Sequence, residues 1–167
     1  MVITRSELMA SLQNEVRILL HLASKIDRAQ LDYRPTPKQR STLELLKYLS
    51  VMGPRSLEYA RSGTFDLASW TAAEQAAAAR DFDQTVAAIA GHSDTYATLL
   101  ADMSDADFRV EIGEGAARST RGAFIVNFVL CGCAAYRMQL FLYLKASGRE
   151  ELASINVWAG VDAPAAV

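Results

Sequence analysis

Apolar residues recur at alternating steps of four and three along most of the chain, the period of helices that each bury one face. Leu8, Leu12, Leu19, Leu22 and Ile26 mark the first such stripe, with Glu15 its one polar member and Val16, Leu20 and Ala23 beside it. A helix over roughly Thr4 to Asp27 is predicted. Tyr33-Arg34-Pro35-Thr36-Pro37 closes that stretch, because proline has no N–H to donate and restricts the residue before it. A second helix is predicted to open at Ser41-Thr42-Leu43-Glu44, where the serine can cap free amides while the glutamate reaches back. Leu45, Leu49 and Met52 continue it, and Gly53-Pro54 is expected to kink or restart it. A loop at Ser62-Gly63-Thr64 follows, and the Ala-rich stretch Thr71 to Arg80 reads as a short helix or the first turns of the third. Phe82, Val86, Ile89, Ser93, Tyr96, Leu100 and Met103 carry that third helix. Phe108-Arg109-Val110-Glu111-Ile112 alternates apolar and charged as a short edge strand does, and Gly113-Glu114-Gly115 is its turn. The fourth helix is predicted from Thr120 to Ala146 on the stripe Ile125, Val129, Gly132, Tyr136, Leu140 and Tyr143, with Gly148 at its C-cap and an irregular tail over 148–167.

This pattern is that of one all-α domain over 1–167, a four-helix bundle in up-down-down-up or up-down-up-down order with a short irregular or β segment before the last helix. Composition agrees. With 51% hydrophobic and 22% charged residues the chain can build a core, and 9 Gly and 4 Pro are few for an all-β fold rich in tight turns. The net charge of −2 gives no electrostatic reason to bind nucleic acid. Charge is uneven, with ten acidic and two basic residues from Asp66 to Glu114 and an excess of basic ones from Met1 to Arg40. The plain reading is solvated helix faces; the sharper one is an acidic face that meets a basic face in an oligomer. Two cysteines, as Cys131-Gly132-Cys133, make no disulfide framework, and the N-terminus has no basic stretch followed by an apolar core, so a cytoplasmic protein without a signal peptide is expected. Phe124 to Leu144 is apolar enough to suggest a membrane span, but Asn127, Arg137 and Gln139 lie in it. An arginine near the centre of such a span costs about 2.5–3.5 kcal/mol, so the segment is read as an interior helix of the bundle and no membrane partner is expected.

Two stretches resemble the DinB/YfiT-like proteins, a family of four-helix bundles. One is Pro35-Thr36-Pro37-Lys38-Gln39-Arg40-Ser41-Thr42-Leu43-Glu44-Leu45-Leu46-Lys47-Tyr48-Leu49, like that family's Pro-rich turn and second helix. The other is Tyr136-Arg137-Met138-Gln139-Leu140, followed by Leu144 and Gly148, like the end of its last helix. The resemblance implies a bundle that often pairs as a homodimer and, in many members, a divalent metal held by three histidines. One histidine comes from the second helix and two, four residues apart, from the last. Positions four apart present two imidazoles on one helix face, and the facing helix supplies the third.

Carried onto this chain, those positions are Tyr48, Gly132 and Tyr136, and none is a histidine. Glycine has no side chain with which to bind, and a phenol of ordinary pKa is a poor ligand at neutral pH. Cys133 follows the Gly132 position and precedes Tyr136 by three, so it can lean toward the same cavity, while Cys131 points about 160° away from it. One thiolate beside two phenols is thin coordination for zinc, so no metal or other cofactor is expected. Of the two histidines, His21 is expected half-buried with a hydrogen-bond partner and His92 exposed. Arg55, Arg61, Arg118 and Arg121 read as scattered surface charges, and there is no phosphate loop, nucleophile elbow or Cys-x-x-Cys pair. The functional expectation is a non-enzymatic homodimer with a degenerate metal site, binding a small apolar ligand between its helices. The alternative is a thiol-dependent transferase or hydrolase-like enzyme that uses an unrecognised site.

Overall fold

The computed structural model describes residues 3–164. Helix α1 (Arg5–Ala23) starts at a capping box, in which the Thr4 hydroxyl accepts from the Glu7 N–H and the Glu7 carboxylate accepts from the Thr4 N–H. It stops short of the predicted Asp27, because the Asp27 carboxylate caps a separate 3-10 turn at Arg28–Gln30. Helix α2 (Thr42–Ser62) opens on the Ser41–Glu44 capping box the sequence predicts and ends at Gly63, whose φ of 76° suits a residue without a Cβ. Pro54 does not restart α2, one of the two outcomes expected of Gly53-Pro54.

Helix α3 (Leu67–Ala78), capped by Asp66, is independent of the third predicted helix. That helix is broken at Gly91 into α4 (Phe82–Ala90), capped by Asp81, and α5 (His92–Leu100). Two acids of the negative stretch thus serve as helix caps, and Asp83 pairs with Arg28 at 2.6 Å. The buried stripe runs through Thr85, Ile89, His92, Tyr96 and Leu100, so it takes in His92, while Phe82 and Val86 are only half-buried.

The predicted strand is shorter than its alternation suggests. Asp107–Arg109 forms a 3-10 turn, and only Glu111–Ile112 (β1) pairs, antiparallel to Ser119–Thr120 (β2), with Glu111 opposite Thr120. Helix α6 (Arg121–Ala146) contains a π-helical turn at Ile125–Leu130 that the sequence did not announce. It ends as predicted, with Gly148 at φ 109° and the Arg149 N–H reaching back to the Leu144 carbonyl at 3.0 Å. The tail expected to be irregular carries α7 (Ser154–Ala159), which packs on α1 and α6 through buried Leu152, Asn156 and Val157; its last three residues lie outside the described part.

The order is up-down-down-up. Arg5 at the start of α1 donates to the Ala101 carbonyl just past α5, Ser50 and Gly53 of α2 face His92 and Tyr96 of α5, and Tyr48 and Met52 of α2 meet Tyr136 and Gly132 of α6. Both α1 and α2 pack on α4–α5 and on α6, which places them on opposite corners of the square. Leu12, Leu22, Leu45, Leu57, Ile89 and Ile125 fill its centre. Helix α6 is not the interior helix expected. It is long and apolar enough to cross a membrane by length and composition, and in the folded chain one side packs on α1 and α2 while Phe128 (48% exposed), Cys131, Ala135 and Leu142 (56%) face outward.

Candidate functional site

The antiparallel contact of α2 with α6 brings together Tyr48, Gly132 and Tyr136. The rings of Tyr48 and Tyr136 meet edge to face with centroids 5.1 Å apart. One turn further, a Cβ placed on Gly132 would lie 3.2 Å from the methyl carbon of Met52, so the glycine leaves the room that the thioether occupies. Met52 was missed in the sequence as a site residue, although it stands four residues after Tyr48 and so shares its helix face. Together with Asn127, Phe128, Cys131 and Ala135 these residues line a groove of about 280 Å³ that opens to solvent and carries no charged side chain.

The two cysteines exchange their expected roles. Cys131 lines the groove. Cys133 turns inward toward Tyr96, Glu15 and Arg137, and its burial pushes its thiol up to about 12. Cys133 lies 100° around the helix from Gly132 on the side of α1, whereas Phe128, Cys131 and Ala135 lie on the other. A thiol held protonated in this way is neither a ready nucleophile nor a ligand. Tyr48 is likewise held neutral: burial first, and then the neighbouring Tyr136, push its hydroxyl up to about 12, while the guanidinium of Arg40, 4.0 Å from the ring centre, acts against this. The donors around the groove are therefore two phenols, a thioether, the Asn127 amide and an exposed thiol. This set does not fit the three-nitrogen centre that the family resemblance implies. Among the described residues no three His, Cys, Asp or Glu side chains converge in any other place that could hold a metal.

Polar groups are buried elsewhere. His92, expected exposed, is 5% exposed, with Nε2 3.2 Å from the Ser50 carbonyl and Nδ1 3.4 Å from the Tyr96 hydroxyl. The Ser50 hydroxyl accepts from Arg80 at 2.9 Å. Glu15, the polar member of the first stripe, pairs with Arg137 at 2.9 Å, and Trp158 of α7 lies against that guanidinium. His21 is half-buried as expected, and its Nε2 is 3.1 Å from the Asn156 amide. The four arginines are less scattered than they read: Arg118 pairs with Glu111, Arg121 lies 3.8 Å from Asp107, and Arg55 and Arg61 line one cleft beside α3. A second, mostly apolar cleft of about 510 Å³ lies between the starts of α1 and α6, over Leu8, Phe108 and Val126. Both clefts depend on loops whose paths periodicity does not give.

No family model and no curated protein sequence matches the chain. Its structure is similar to the crystal structure of a DinB-like protein, YjoA from Bacillus subtilis, with a TM-score of 0.68 and 16% sequence identity over 87% of this chain and 94% of that one. The chain thus has the all-α DinB-like fold.

Proposed function

We propose that this DinB-like bundle is a non-enzymatic homodimer with a degenerate metal site, and that its α2–α6 groove takes a small uncharged apolar molecule. The observation that carries this reading is the content of the family's metal position: two phenol rings in contact and the Met52 thioether, where three imidazoles are needed. The alternative, a thiol-dependent transferase or hydrolase-like enzyme, would need a site other than the buried Cys133, whose thiol is pushed up to about 12. The outward face of α6, Phe128, Cys131, Ala135 and Leu142, is uncharged and continuous with the groove, which suits a second copy of the chain better than water.

Three measurements test this. Protein purified without chelator is expected to hold no stoichiometric Zn, Fe, Ni or Mn; one equivalent would overturn the degenerate-site reading. Light scattering at micromolar concentration is expected to give a dimer mass that falls to a monomer in Leu142→Glu. A wild-type monomer, or co-flotation with neutral lipid vesicles, would show that the face serves another purpose. Indole, an uncharged probe, is expected to bind the wild type and to be excluded by Ala135→Trp, which fills the groove from its rim; binding unchanged by that substitution would place the ligand elsewhere.

A further inference from the structure

A second site stands toward the C-terminal end of α2, sharing no residue with the groove. The C-terminal half of α2, the loop to α3, the first turn of α3 and Leu99 of α5 enclose a cleft of about 420 Å³. Its wall is an aromatic ladder that begins in the bundle and ends in solvent. Phe124 of α6 meets Tyr59 edge to face at 5.0 Å, Tyr59 meets Phe65 at 6.1 Å, and Phe65 meets Trp70 at 5.8 Å. Phe65 is 54% exposed.

Charge decides what such a cleft would take. Four charged groups line it, and three are committed. Arg55 pairs with Glu58 at 2.7 Å. Both carboxylate oxygens of Asp66 are used at the start of α3, one accepting from the Ser69 N–H at 3.0 Å and the other from its hydroxyl at 2.7 Å. Arg61 alone has no ion-pair or hydrogen-bond partner among the described residues. The one cation free to meet a ligand thus stands beside an exposed aromatic surface. A guanidinium presents paired donors that match a carboxylate, and an aromatic wall favours a flat apolar body.

We infer that this cleft binds a planar aromatic carboxylate, its ring against Phe65 and Trp70 and its carboxylate on Arg61. The two tryptophans, Trp70 and Trp158, allow a direct reading, since Trp158→Phe leaves the cleft residue as the only indole emitter. The probe is 4-nitrobenzoate, which quenches indole emission on contact, titrated into the Trp158→Phe protein alongside its uncharged methyl ester. Saturable one-to-one quenching by the acid is expected. Arg61→Ala should weaken it on the order of two- to fivefold, as suits a solvent-facing charge pair. Phe65→Ala should weaken acid and ester alike, and the ester should be indifferent to Arg61. Acid and ester binding with equal affinity, acid binding untouched by Arg61→Ala, or no saturable quenching would each overturn the assignment. A far-ultraviolet circular dichroism spectrum unchanged in Arg61→Ala and Phe65→Ala, both of exposed residues, separates loss of binding from loss of fold. None of these outcomes bears on the groove between α2 and α6, where tryptophan is absent.

Discussion

His92 closes the hydrogen-bond gap that a proline opens in the neighbouring helix. Within α2, the Ser50 carbonyl would accept from the N–H of residue 54, and Pro54 has none. The Nε2 of His92 stands 3.2 Å from that carbonyl. Since a carbonyl can only accept, Nε2 carries the proton and Nδ1 is left to accept from the Tyr96 hydroxyl at 3.4 Å. This is why α2 runs through a proline without restarting: its lost bond is made from α5.

The same relationship makes stability depend on pH. Burial, reinforced by Arg80 and opposed by the Ser50 hydrogen bond, lowers His92 from 6.5 to about 4. Between these values the unfolded chain binds more protons than the folded one. Stability from this group is therefore complete above about 6.5 and is lost as pH falls toward 4, by up to about 3 kcal/mol. Urea denaturation between pH 7 and pH 4 should show a steeper loss in wild type than in His92→Gln, which keeps a donor for Ser50 but does not titrate. Parallel pH profiles would mean that His92 is already solvated.

Gly53 makes room for this contact. A Cβ there would sit 2.0 Å from the Tyr96 hydroxyl oxygen. Glycine to alanine inside a helix normally stabilises by about 1 kcal/mol, so a loss of about 1–3 kcal/mol in Gly53→Ala would be diagnostic of the clash. Adding Tyr96→Phe removes the offending oxygen and should recover part of that loss. A double-mutant cycle is expected to give a coupling above about 0.5 kcal/mol, and additive effects would contradict the close approach.

These buried contacts also mark how far the sequence could be read. Helix starts at Thr4, Ser41 and the end at Gly148 were legible because capping is local chemistry. The stripes located the bundle, whereas the pairing of Tyr48 with Tyr136 came from the family resemblance and not from periodicity. The continuity of α2 was not legible, since its rescue comes from His92, 42 residues away. His92 itself read as exposed because it sits beside Ser93 and Asp94, and no short window shows that a neighbour has an unserved carbonyl. Cys131 and Cys133 were exchanged because their helical angles are nearly symmetric about Gly132, and the choice between them depends on which side α1 packs.

The Glu15–Arg137 pair should be strongly coupled. Both side chains are largely buried, at 15% and 7% exposed, and Glu15 Oε2 and Arg137 Nε have no hydrogen-bond partner among the described residues. Removing one partner strands a charge, so Glu15→Leu and Arg137→Leu should each cost about 3 kcal/mol or more in denaturant unfolding. The double variant should recover most of that, because it strands nothing. A double variant as unstable as the sum of the singles would show that packing against Trp158, not charge, holds this corner.

Rebuilding the metal centre tests the degenerate-site reading at its root. Tyr48, Gly132 and Tyr136 surround one groove, and histidines at all three would offer nitrogen ligands from two facing helices. The triple variant loses an aromatic contact and brings bulk at 132 against the Met52 methyl carbon, 3.2 Å from the new Cβ. That neighbour is the far end of a flexible side chain and can swing aside; Met52→Ala in the same background removes the conflict altogether. The apo-protein should therefore melt below wild type, by a margin that Met52→Ala changes. A ligand that binds only the folded state at a hundred times its Kd stabilises by about 2.7 kcal/mol. In a chain of this size that is worth roughly 5–10 °C. Added Zn²⁺ should raise the melting temperature of the triple variant by this order and leave wild type unmoved. A folded triple variant that ignores zinc, with and without Met52→Ala, would mean that the three positions do not converge as a metal centre requires, and wild type that gains stability from zinc would mean the site was never lost.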